Sequence, residues 1–124
     1  MLFGMARPIL PGKVERARSL ALELEAHRAE YDRLNAQYRV GTHSIWVSHP
    51  ADGPAIMVTM YDMDPEDLRV MRARGWDPEG SAYDRWWLEW FEDVTGVDLR
   101  VSTGVAAPPE PIFASSSGSV SLER

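Results

Sequence analysis

The chain has 124 residues, 44% of them hydrophobic and 26% charged, with no cysteine and a formal net charge of −6. That length suits one domain-sized core, and the lack of cysteine removes disulfides, thiolate nucleophiles and any zinc or iron–sulfur site built on sulfur. A net negative chain is a poor match for phosphate backbones or anionic lipid, so neither nucleic acid nor a membrane is an expected partner.

No run reaches the ~18 apolar residues of a spanning helix. Arg7-Pro8 ends the apolar opening before a signal-peptide core of ~7–15 residues forms, so a cytoplasmic protein is expected. Leu2 to Leu10 reads as a strand, with Phe3, Met5, Arg7 and Ile9 on one face and Leu2, Gly4 and Ala6 on the other. Pro11-Gly12 marks a turn. From Val14 to Tyr38 the positions Ala17, Leu24, Tyr31 and Tyr38, interleaved with Leu20, His27 and Leu34, trace one helical stripe.

Val40-Gly41 closes this helix, and Thr42 to His49 alternates as a second strand, with His43, Ile45, Val47 and His49 opposite Thr42, Ser44, Trp46 and Ser48. Pro50 to Pro54 is turn chemistry, and Ala55 to Asp62 is a third strand, apolar on both faces and paired with the second as a hairpin. Asp64-Pro65-Glu66-Asp67 starts a short helix through Leu68, Val70 and Met71, with Asp64 as its cap. After the break Gly75-Trp76-Asp77-Pro78-Glu79-Gly80, Ser81 and Asp84 restart a helix on which Tyr83, Trp86, Trp87, Trp90, Phe91 and Val94 keep the i, i+3, i+4, i+7 spacing. Thr95-Gly96 ends it. Val97 to Thr103 alternates as a fourth strand, and residues 104–124 read as a Pro/Ser-rich tail whose apolar anchor is Ile112-Phe113.

Residues 1–103 therefore predict one α+β domain with the ferredoxin-like order β-α-β-β-α-β, an antiparallel sheet and helices on one face. The bare face of such a sheet would carry apolar groups from strands one and three, and an exposed apolar patch of that kind predicts a homodimer.

The opening Arg7-Pro8-Ile9-Leu10-Pro11-Gly12-Lys13, a strand end followed by P-G-K and a long amphipathic helix, is similar to the start common in the dimeric α/β-barrel superfamily. The chain looks most like a small, functionally uncharacterised branch of it. The resemblance covers about residues 1–103 and implies dimerisation into an α+β barrel with a ligand pocket in each subunit between sheet and helices. Relatives in that superfamily include cofactor-independent monooxygenases of the antibiotic-biosynthesis type, polyketide cyclases, lactone isomerases, haem-binding enzymes and non-catalytic stress proteins.

Four residues are candidates for catalysis. His27, one turn from Tyr31 and from Glu23, either faces the pocket as a general base or caps the core edge. His43 lies at a strand start where the pocket opens. His49 shares its strand face but sits roughly 20 Å away, too far to bind the same ion. Arg7, with Asp62 as one possible partner, either orients a substrate oxygen or lies solvated at the strand end. Tyr31 joins these as an orienting group.

Five tryptophans in 124 residues exceed ordinary core filling, so Trp46, Trp76 and Trp87, with Tyr61, are candidate walls for a flat ligand. Trp76, inside the glycine-flanked break, is either a lid or a plug. No His-rich or His–carboxylate ligand spacing occurs, so neither a metal nor another cofactor is expected, and a haem ligand from His27 or His43 has no supporting motif. The expected partners are a small apolar or aromatic molecule and a second copy of the chain. The expected function is binding of that molecule, with cofactor-independent oxygenation, cyclisation or isomerisation as the chemistry. The rival is a non-catalytic dimeric interaction or stress-type module.

Overall fold

The computed structural model describes residues 1–102. Within them three strands form one antiparallel sheet: β1 (Leu2–Pro8), β2 (Thr42–Ser48) and β3 (Ile56–Asp62). Their order is β1-β3-β2, with β3 in the centre. The register aligns Arg7, Met57 and Val47 across the sheet, then Met5, Thr59 and Ile45, then Phe3, Tyr61 and His43. Because side chains alternate across a strand, these nine share one face, on which the helices pack.

The segment after β1 is not one long helix. It runs as α1 (Val14–Arg18), α2 (Leu20–Leu24), a 3₁₀ turn over Glu25–His27 and α3 (Arg28–Gln37). The first break has a local cause: the Ser19 hydroxyl donates back to the Glu15 carbonyl at 3.0 Å, a bond that competes with regular helix geometry. The second falls at His27, whose φ of −123° and ψ of 17° leave the α region. Helix α4 (Pro65–Arg74) starts as its sequence predicts, with the Asp64 carboxylate accepting from the Glu66 N–H at 2.8 Å.

Helix α5 (Ala82–Thr95) carries the core. Ser81 accepts from the Asp84 N–H, and the apolar stripe of Trp87, Leu88, Trp90, Phe91 and Val94 is buried. Each such side chain contributes about 1.5–3 kcal/mol on burial. Gly96 ends α5 at φ 78°, where a side chain would be strained and its Cβ would meet Leu10 at 3.4 Å. The Leu10 N–H donates to the Val94 carbonyl at 2.8 Å, clipping the end of α5 to the chain leaving β1.

The predicted fourth strand is absent from the described residues. The chain turns instead into the one-turn helix α6 (Leu99–Ser102), because the Asp98 carboxylate caps the Arg100 N–H at 3.0 Å. Among the described residues the sheet therefore has three strands, and what holds is a mixed α+β fold. The expected tail and its Ile112-Phe113 anchor lie outside the described residues. No described helix is long and apolar enough to cross a membrane.

The buried side chains fall into two groups. One joins Ile9, Ala17, Met57 and Leu99 to the α5 stripe, and the other gathers Leu34, Tyr38, Met63, Leu68 and Tyr83, with Trp76 and Trp86 packed against both. The two groups do not close fully on each other. A cavity lies between them.

Candidate functional site

The cavity measures about 180 Å³ and has β1, β2 and β3 as its floor. Rings from α3, α4–α5 and the sheet form its sides. At one end stands His43 of β2. Its Nδ1 is 2.9 Å from the Tyr31 hydroxyl of α3, and its ring stacks on Tyr61 of β3 at 4.4 Å with planes 6° apart. The cross-strand alignment of His43 with Tyr61 produces that stack. The His43 Nε2 is buried without a hydrogen-bond partner.

Burial pushes the His43 imidazole down from its usual 6.5 to about 4, so it is neutral at neutral pH. Burial also pushes the Tyr61 phenol up to about 12 and raises Tyr83, with Tyr61, Tyr31 and Asp84 adding to the effect. These phenols stay protonated and serve as hydrogen-bond donors. A neutral imidazole tied to a tyrosine hydroxyl can hydrogen-bond and polarise a substrate oxygen. As a proton acceptor at neutral pH it is weak, since general-base efficiency is greatest for a pKa near the working pH.

Arg7 of β1 reaches the cavity from the opposite corner of the sheet. Its guanidinium carbon lies 5.8 Å from the centre of the Phe91 ring, and its Nε is buried without a partner. Asp62, named from the sequence as one possible partner, does not pair with it. Asp62 lies on the other face of β3 by parity and binds the N-terminal ammonium at 3.1 Å.

Trp76 and Trp87 form a wall, their ring centres 6.2 Å apart, with Trp76 also 6.0 Å from Tyr83. Two contacts hold Trp76: the ring faces of α5, and the Arg74 guanidinium 5.3 Å above it. Arg74 in turn donates to the Asp84 carboxylate at 2.7 Å, and Asp84 is 4% exposed. The break at residues 75–80 is thus tied to the start of α5 by an ion pair whose carboxylate is buried and whose guanidinium is half-buried.

Of the residues singled out from the sequence, Arg7, Tyr31, His43, Tyr61, Trp76 and Trp87 line this one cavity. His27 and Trp46 do not. The interrupted helix rotates His27 away from the stripe, and its ring stacks on Trp86 at 4.8 Å. Glu23, the carboxylate expected beside it, is committed to Arg16 at 2.9 Å and to the Trp86 indole N–H at 2.9 Å; Arg16 holds it below the usual carboxylate range. Trp46, 63% exposed, stands on the other face of the sheet, which the described helices leave uncovered.

Thr59 and Arg72 also line the cavity and escaped the sequence reading. Thr59 had a usable signal, since it shares the parity of Tyr61 on β3. Among the described residues no three His, Asp or Glu side chains converge to hold a metal ion. No protein-family model matches the chain, and neither the curated proteins nor the solved structures contain a match to it.

Proposed function

We propose that the chain is a small-molecule-binding α+β protein that takes a flat, largely apolar molecule into the cavity and acts on it without a cofactor. The observation that carries this reading is the His43 Nε2, buried and without a partner among the described residues, on a residue that lines a ring-walled space of about 180 Å³. An apolar cavity of about 150 Å³ accommodates benzene, so a single substituted ring fits. Buried polar atoms left without partners are uncommon and call for an explanation, and for one on a residue that lines an apolar cavity a bound ligand supplies it.

In this reading Tyr31 fixes the imidazole through Nδ1, and the Nε2 side hydrogen-bonds a carbonyl, hydroxyl or enolate oxygen of the substrate. Charge developing on that oxygen is then stabilised in a site walled from water. The chemistry that suits such a site is isomerisation, cyclisation or oxygenation of an activated ring.

The reading extends to a homodimer of the dimeric α/β-barrel type. The uncovered face of the sheet presents Ala6, Val58 and Trp46 in one aligned row, with Leu2, Ile56 and Met60 around it. Leu2 and Trp46 are 65% and 63% exposed, and a second copy of the same face would cover them.

The test is titration of the protein with neutral ring compounds such as naphthol, followed through the fluorescence of Trp76 and Trp87. Saturable quenching that weakens in His43→Phe supports the reading. Absence of saturable binding across the series overturns it.

A further inference from the structure

The cavity has a charge character opposite to that of the chain. In a protein of net charge −6, the described residues that line this space include three arginines and no aspartate or glutamate. Arg74 is answered by Asp84 at 2.7 Å, and Arg72 lies close enough to Tyr61 to act on its phenol. Arg7 differs from both. Among the described residues no carboxylate pairs with it, its Nε is buried and unbonded, and its one recorded contact of a polar kind is with the face of Phe91. Arg7 as a whole is half-buried, but a buried donor left without an acceptor is unfavourable, by about 1–3 kcal/mol, and an apolar side chain at this position would remove that cost.

The register fixes where this cation stands relative to His43. Arg7 is aligned with Val47 across β3, and His43 is aligned with Phe3. Two strand spacings and four residues along the strand put their Cα atoms roughly 16 Å apart on the diagonal. The two unpartnered polar atoms therefore belong to opposite ends of the cavity. Aromatic and aliphatic side chains, Trp87 and Leu34 among them, line the space between.

We propose that the ligand of this cavity is an aromatic monocarboxylic acid with a hydroxyl or carbonyl group at its far end. The carboxylate is held by Arg7 and the distal oxygen by His43. Arg7 is a substrate-binding residue in this assignment, which rests on the binding function proposed above. The guanidinium supplies the planar fork that suits a carboxylate, and Phe91 backs it. The ring lies along the wall of Trp76 and Trp87.

The experiment is calorimetric titration of the whole chain at neutral pH with para-hydroxycinnamate, its carboxamide, cinnamate and neutral naphthol. The acid is expected to bind at least about tenfold tighter than the carboxamide, the gain typical of a hydrogen bond to a charged group. Cinnamate, which lacks the distal hydroxyl, is expected to bind more weakly than para-hydroxycinnamate. Arg7→Met should erase the preference for acid over carboxamide while the carboxamide still binds. Its denaturation midpoint without ligand should equal or exceed that of the native chain, whereas a structural role for Arg7 requires the midpoint to fall. Equal affinity for acid and carboxamide, or a preference that survives Arg7→Met, overturns the carboxylate assignment and leaves the binding function standing if naphthol binds. No binding by any of the four overturns both.

Discussion

The Tyr31 hydroxyl and the His43 Nδ1 meet at 2.9 Å across the gap between α3 and β2, and among the described residues the imidazole makes no other hydrogen bond. Replacing Tyr31 by Phe leaves both ring nitrogens buried without partners. The expected cost is about 1–3 kcal/mol, the penalty for an orphaned buried polar group. Urea denaturation checks it: the midpoint should fall with the slope unchanged, since the surface exposed on unfolding is the same.

Acid should destabilise the protein in a definite window. The unfolded chain protonates His43 near 6.5, whereas the folded chain resists until about pH 4. The unfolded state therefore binds the extra proton in between, and stability falls as pH drops from 6.5 to about 4. At about 1.4 kcal/mol per unit the full loss approaches about 3 kcal/mol. Glu23 and Asp93 are also held low, Glu23 by Arg16 and Asp93 by Lys13 and Arg16. Their contributions are lost only at more acid pH. Denaturation midpoints at pH 7, 6 and 5 should decline for the native chain and flatten in His43→Gln.

Arg74 stands between a buried carboxylate and an indole, bound to Asp84 at 2.7 Å and lying over Trp76. Arg74→Met strands Asp84 in a site where its remaining support is the Ser81-capped first turn and the Asp77 N–H at 3.3 Å. A loss of about 3 kcal/mol is expected, because breaking a buried pair leaves an uncompensated charge. Asp84→Asn in the same background should restore part of it. Equal stability of the single and double variants would show that the pair does not hold the segment.

The dimer reading has its own probe. Trp46→Glu places a charge midway along the edge strand β2 on the uncovered face, at a residue that does not line the cavity. Light scattering should show a dimer for the native chain and a monomer for the variant. A native chain that is already monomeric at micromolar concentration removes the dimer from the proposed function.

Much of this architecture is legible in the residue order, and the exceptions have physical causes. The α5 stripe announces itself because six aromatic or aliphatic side chains follow one helical face, and Asp64 and Ser81 announce their helices because capping is local chemistry. Val97, Leu99 and Val101 alternate like a strand, yet a run that short is decided by Asp98, whose carboxylate can close a turn on its own. His27 takes the second of its two expected places, half-buried at the core edge against Trp86, because the helical phase is lost through Ser19 and the 3₁₀ turn. Trp46 could have been separated from the cavity by sequence alone: three residues from His43, it has the opposite parity and cannot share its face. Arg7 and His43 are placed together only by the order of the strands, which no local pattern carries.

The position of β3 between its neighbours also orders the assembly of the protein in time. The β2–β3 hairpin closes over a short loop between Ser48 and Ile56 and needs only local chain motion. Strand β1 must return from far along the sequence to pair with the other edge of β3, a closure with a larger entropic cost. Met5 and Arg7 arrive with it, so a hairpin without β1 has His43 and Tyr61 in place and no opposite wall. The cavity is then among the last parts of the native state to form, and a ligand bound there acts as a clasp on the completed sheet, slowing hydrogen exchange most at the amides of β1.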